Sequence, residues 1–137
     1  MASTVTTYNP RKVTCAFGNH ICTGFADNSF ITIEHATDGT SYVVGADGEI
    51  ARSIDPSSLY TLKLSLLQAS ATNEWLRKMY EKDKSEGTGT FSVNVADILG
   101  DEKFVGGVAW ITKPASWQRG KQQNNREWEI VVEGEFR

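Results

Sequence analysis

The chain has 137 residues, enough for one domain with a proper hydrophobic core. It carries 14 Lys and Arg against 17 Asp and Glu, a net charge of −3, without the overall basic excess that a duplex-binding surface needs. No apolar run approaches the ~20 residues of a membrane helix. The first ten residues lack the basic start and apolar stretch of a signal peptide, which points to synthesis inside the cell.

Residues 1–11 read as a mobile polar arm ahead of a single domain at 12–137. Residues 12–18 and 20–25 read as a hairpin turning at Gly18-Asn19, with Gly18 supplying the first central turn conformation. That register sets Phe17 against His20 and Cys15 against Cys22. Two free, buried thiols are expected there, although a disulfide is geometrically conceivable. Asp27-Asn28 reads as a turn, residues 29–36 as a strand, and Asp38-Gly39 as its break. Residues 40–46 and 49–54 form a second hairpin around Asp47-Gly48. It has few apolar residues and is expected to project from the body.

The periodicity changes inside residues 58–84. Leu62, Leu64 and Leu66 alternate with Thr61, Lys63 and Ser65, which predicts a two-faced strand over 59–67. From Trp75 the apolar positions 75, 76, 79 and 80 form one stripe of a helix at about 71–84. Ser70 or Thr72 can cap it, and Glu74–Lys78 and Arg77–Glu81 are spaced as ion pairs. Gly87-Thr88-Gly89 ends it. Strands follow at 90–96, 103–112 and 127–136, with a turn over 97–102 and a long polar loop over 113–126. In the last strand Trp128, Ile130, Val132 and Phe136 share one face. Glu127, Glu129, Glu133 and Glu135 share the other, with Val131 between them. Two long strands with one dry and one polar face, and a single helix, predict a mainly β (α+β) fold. The expected architecture is two packed antiparallel sheets, a sandwich or open barrel, with one flanking helix.

Candidate chemistry is sparse. His20 and His35 are the only histidines, and neither sits in a nucleophile-elbow pattern. Cys15, His20 and Cys22 lie near one another but lack a fourth metal ligand. Asp47-Gly48-Glu49 lacks the rest of a calcium loop. Neither a catalytic site nor a metal or cofactor is expected. Loop 113–126 holds Lys113, Trp117, Arg119, Lys121 and Arg126. Such a set can stack on single-stranded nucleic acid, but the amides at 122–125 favour an ordinary solvated or partner-binding loop.

The stretch from Leu62 to Leu76 (LKLSLLQASATNEWL) resembles the strand-to-helix signature of tail tube proteins of contractile-tailed bacteriophages. Gly24-Phe25-Ala26-Asp27 ahead of the Phe30–Glu34 strand also resembles that family. So do Val44–Glu49 with Arg52-Ser53, Lys113-Pro114 and Arg126-Glu127-Trp128. The resemblance spans about 13–136 and implies a non-enzymatic subunit that assembles with itself. It implies rings, six-membered in the family, which close a continuous inner barrel and stack into a tube related to type VI secretion tubes. The lumen candidates are Thr61, Lys63, Ser65, Glu127, Glu129, Glu133 and Glu135. The ring-stacking candidates are Gly45, Asp47, Gly48 and Glu49, together with the arm. DNA is then expected to pass the lumen without specific binding. The implied partners are tail sheath, terminator and baseplate proteins, in a virion assembled in the host cytoplasm and without membrane insertion of the subunit. Two other readings remain open at this point: a secretion-system inner tube, and a monomeric β-barrel that binds a small ligand.

Overall fold

The computed structural model describes residues 5–27 and 29–137. Nine strands and one α-helix occur among them: β1 (Val13–Phe17), β2 (His20–Ile21), β3 (Ile31–His35), β4 (Thr40–Val44), β5 (Ile50–Ile54), β6 (Leu59–Leu66), α1 (Ala71–Glu86), β7 (Phe91–Asp97), β8 (Glu102–Lys113) and β9 (Arg126–Phe136). The fold is mainly β, with two antiparallel sheets and one flanking helix, as the patterning implies. One sheet has seven strands in the order β2-β1-β7-β8-β9-β6-β3, and the other is the β4–β5 pair.

Each long strand of the large sheet buries alternate residues. Leu62, Leu64 and Leu66 of β6, Trp128, Ile130 and Val132 of β9, and Phe17 of β1 all join one core. Single substitutions of such side chains cost about 2–5 kcal/mol. The large sheet rolls until its far strands approach. A groove of about 680 Å³ has Ile31 and Ile33 of β3 on one side and Val95 and Phe104 of β7 and β8 on the other. This is the open barrel anticipated from the sequence. β8 makes room for the roll with register shifts between Gly106 and Val108 and between Ile111 and Lys113. Gly106 and Gly134 pair directly. A side chain at Gly134 would run into the Val105 carbonyl oxygen, so only glycine lets the strands close there.

Helix α1 lies over one end of the core. Ser70 caps it: its Oγ accepts the Thr72 N–H at 3.2 Å, so Ser70 fills the role that either residue was expected to take. Gly87 (φ 72) ends it. Trp75 packs against Phe17 and Phe91 at 6.0 and 5.3 Å between ring centroids. Glu74 pairs with Lys78 at 3.2 Å. The expected Arg77–Glu81 pair is not formed among the described residues, consistent with the small value of exposed i,i+4 pairs.

The first hairpin turns at Gly18 (φ 60), and Phe17 faces His20 as expected. Its return arm is shorter than the expected 20–25. After Ile21 the chain leaves β1, turns at Gly24 (φ 72) and pairs with the end of β6 through a Phe25–Leu66 bridge. Thr72 holds that crossing, accepting the Thr23 N–H at 3.0 Å. Cys15 and Cys22 are buried, free thiols joined through the backbone by a Cys22 N–H to Cys15 C=O bond of 2.9 Å. A hydrogen bond with Cys22, then burial, pushes the Cys15 thiol well above its ordinary range. Of the expected Asp27-Asn28 turn, Asn28 lies outside the described residues, as do residues 1–4 of the arm. Val5–Asn9 carry no regular structure, and Asn9 caps a short 3-10 turn at Pro10–Lys12.

Candidate functional site

The antiparallel register decides which polar side chains share a face, because residues directly opposite each other project to the same side. Thr61 faces Val131, Lys63 faces Glu129 and Ser65 faces Glu127 across β6 and β9. Glu133 and Glu135 follow by alternation along β9. All seven residues singled out on these strands therefore lie on one side of the large sheet, opposite the core.

The neighbouring strands complete that surface. Lys113 of β8 also faces Glu129, and Thr32 and Glu34 of β3 face Lys63 and Thr61. Glu129 thus stands between two lysines in one row across the sheet. The wall is therefore not uniformly acidic. It sets five carboxylates (Glu34, Glu127, Glu129, Glu133, Glu135) against three ammonium groups (Lys63, Lys103, Lys113). Among the described residues no ion pair closes across these rows, while at the end of β9 Arg137 pairs with Glu135 at 3.0 Å and adds a further positive charge. The Ser65 hydroxyl reaches Glu127 at 3.5 Å. The centre is less polar than β6 and β9 alone indicate, because Val131 faces Trp110 and Glu133 faces Val108, which is 44% exposed. Trp110 was not singled out in the sequence. Its place on this face follows from the register shift at Gly106/Val108, which no alternation pattern reveals.

The β4–β5 hairpin stands apart. All ten of its strand residues are exposed, and it forms a sheet of its own. It projects, as expected from its composition, yet it is not uniformly polar. Register places Tyr42, Val44, Ile50 and Ile54 on one face, with Arg52 opposite Tyr42. At its tip the Gly45 N–H donates to the Glu49 carbonyl at 2.7 Å. Gly48 takes φ 90, and Asp47 Oδ1 accepts the Glu49 N–H at 3.1 Å. The four tip residues named from the sequence thus form one tight, exposed turn. At the root, Asp55 accepts from the Thr37 hydroxyl and the Ser57 N–H, and these bonds hold its carboxyl below the ordinary carboxylate range.

Behind the polar wall, the helix is tied to the sheet by polar groups that the sequence pattern did not mark. Asn73 accepts the Trp128 indole N–H at 3.0 Å and donates to the Leu67 carbonyl at 2.9 Å. Thr72, fully buried, meets His20 Nε2 at 3.0 Å. The signal was available: 72 and 73 continue the stripe of Leu76 and Tyr80 one turn toward the helix start. His20 stacks on Trp75 at 5.0 Å, and His35 Nε2 reaches the Ser57 carbonyl at 3.1 Å. Both histidines have structural places. Cys15, His20 and Cys22 do not come together as a ligand set: among the described residues no His, Cys, Asp and Glu group could hold a metal ion. No helix among the described residues is long and apolar enough to cross a membrane.

A face of ordered polar rows, open sheet edges and a projecting hairpin belong to a protein built to meet other chains. Residues 11–134 match the family described as the bacteriophage PhiTE tail tube protein. The chain belongs to that tail tube family. It is also 28% identical over 140 residues to "Structural protein ORF10" of Pseudomonas phage KPP10, covering 96% of this chain and 81% of that protein. Tail tube membership makes the chain a structural component of the virion that assembles with copies of itself.

Proposed function

We propose that this tail tube subunit closes rings, six-membered as in the resemblance above, that stack into the inner tube of a contractile tail. The polar face of β6 and β9 lines the channel through which DNA leaves the particle. The observation that carries the reading is the family match over residues 11–134, joined to a sheet face on which Thr61, Lys63, Ser65, Glu127, Glu129, Glu133 and Glu135 all project away from the core. The excess of carboxylates repels phosphates, while the interleaved Lys63 and Lys113 are too few to hold DNA by releasing its counterions. The subunit acts by shape and charge, without turnover, and needs no cofactor. Sheath, terminator and baseplate proteins are its further partners, and assembly takes place in the host cytoplasm.

The Gly45–Glu49 tip, with the apolar face of its hairpin, contacts the adjoining ring. An isolated two-stranded hairpin is marginal in water, and this one has no cover among the described residues of its own chain. Deleting residues 45–50 is expected to leave a folded subunit by circular dichroism that no longer makes long tubes under negative-stain electron microscopy. Unchanged tubes would remove the tip from the contact. A monodisperse monomer of the intact chain at every concentration would overturn the tube reading itself.

A further inference from the structure

Arginines from three elements come together at the end of the large sheet where β6 passes into α1. Arg126 opens β9 opposite Leu66, on the same face of that strand as the buried Trp128. Asn73 of α1 joins the two strands there, accepting the Trp128 indole N–H at 3.0 Å and donating to the Leu67 carbonyl at 2.9 Å. Arg77 follows Asn73 by four residues, one turn further along the same side of α1. Arg119 comes from the 113–126 loop, which Gln68 pins to this corner. The Gln68 N–H donates to Gln123 at 3.1 Å, and the Asn124 N–H donates to Gln68 at 3.3 Å. Arg119 itself lies 4.4 Å above the Trp117 ring and donates to the Gln118 carbonyl at 2.9 Å.

Arg126 is the buried member of the three. It is 7% exposed as a residue, yet it forms no ion pair among the described residues. The guanidinium hydrogen bonds among those residues belong to Arg119 and Arg137. No sealed side-chain nitrogen goes without a partner, so the nitrogens of Arg126 open to solvent while its stem is packed. The neighbouring carboxylates are turned elsewhere. Glu127 and Glu129 project from the opposite face of β9, toward Ser65 and Lys63 on the polar wall. Glu74 is held by Lys78 at 3.2 Å, and Glu81 forms no pair with Arg77. Burial, then the positive charges of Arg119 and Arg77, lower the pKa of Arg126, and no carboxylate counters them. Guanidinium groups so placed repel one another, at a cost that grows as water is excluded.

An anion relieves that cost, and the count of charges selects which kind. A planar fork of N–H donors matches two oxygens of a carboxylate or of a phosphate, in bonds about twice as strong as neutral ones. A carboxylate cancels one of the three positive charges. A phosphate dianion cancels two and keeps oxygens free for the flanking groups. We infer that the mouth over Arg126, between Arg77 of α1 and Arg119 of the loop, is a binding site for a free phosphate dianion. It lies on the side of the sheet opposite the proposed channel wall, so the phosphodiesters of conducted DNA do not face it. The inference therefore stands apart from the tube reading.

The test titrates inorganic phosphate into the isotope-labelled full chain at about pH 8, where phosphate carries its second charge. Chloride is adjusted to hold ionic strength constant, so general screening cancels. The expected result is a saturable shift of the Arg126 Nε–H resonance, with an unfolding midpoint that rises along the same curve. Dimethyl phosphate and acetate, each singly charged, are expected to bind at least about tenfold more weakly. Arg77→Gln and Arg119→Gln, both at exposed positions, should each weaken phosphate about tenfold while the chain stays folded in phosphate-free buffer. Arg126→Gln should abolish the saturable response, and the two exposed variants keep the test open if that one fails to fold. No saturable shift at Arg126 would overturn the site. So would acetate or dimethyl phosphate binding as tightly as phosphate, or an undiminished response when Arg77→Gln and Arg119→Gln are combined.

Discussion

Asn73 holds three parts of the molecule with one side chain: the indole of Trp128, the carbonyl of Leu67 at the end of β6, and its own helix. Replacing it by Ala leaves the buried Trp128 indole N–H without its partner, while the Leu67 carbonyl keeps the Ser70 N–H at 3.0 Å, a loss of about 1–3 kcal/mol. Denaturant unfolding of Asn73→Ala is expected to show that loss with an unchanged m-value. A variant as stable as the parent would mean that water replaces the amide. The leucines at 62, 64 and 66 were legible in the sequence because alternation is a direct record of two faces. Thr72 and Asn73 were legible only in position, one turn before Leu76 on the same stripe. Polar residues in a first helical turn ordinarily cap or face water, so their inward hydrogen bonds are seen only in the packed structure. Arg126 was read as one more charge on a basic loop. Its burial comes from its place as the first residue of β9, in register with Leu66.

Among the elements, the β4–β5 hairpin is held least by its own chain. Its root depends on Asp55 accepting from Thr37 and Ser57. The folded carboxyl titrates lower than the unfolded one, so its contribution is fully present above the ordinary Asp value of ~3.9 and is lost as pH falls through the folded value. Amide exchange at Thr37–Gly39 and Asp55–Ser57 is therefore expected to quicken below about pH 3.9, while the core strands β6 and β9 keep their protection. Equal loss in all of these would place the titration elsewhere. The hairpin's existence was legible from Asp47-Gly48, and its projection from its thin apolar content. Its amphipathic face was not, because Tyr42, Val44, Ile50 and Ile54 lie on both strands, and only the register joins them.

At the scale of the whole molecule, the large sheet ends in the two-residue β2 and in β3, whose outer side is bonded to no strand among the described residues. Such edges pair readily with another chain. The free amides of β3 are those of Ile31, Ile33 and His35, since the even positions are bonded to β6; on the ring proposal, exchange at these three is expected to slow strongly when the subunit assembles, and to remain fast in the monomer. Unchanged exchange on assembly would mean that rings close through other surfaces. The sequence announced the layered β architecture and the polar face, since both are written in alternation. The rolling of one sheet into an open barrel was anticipated only as one of two forms. It depends on the shifts in β8 and on the Gly106–Gly134 pair, which are non-local events.

The Gly106–Gly134 pair makes the curvature of the sheet a property of side chains that are absent. A methyl group at Gly134 would strike the Val105 carbonyl, so the roll of the sheet depends on atoms the chain leaves out.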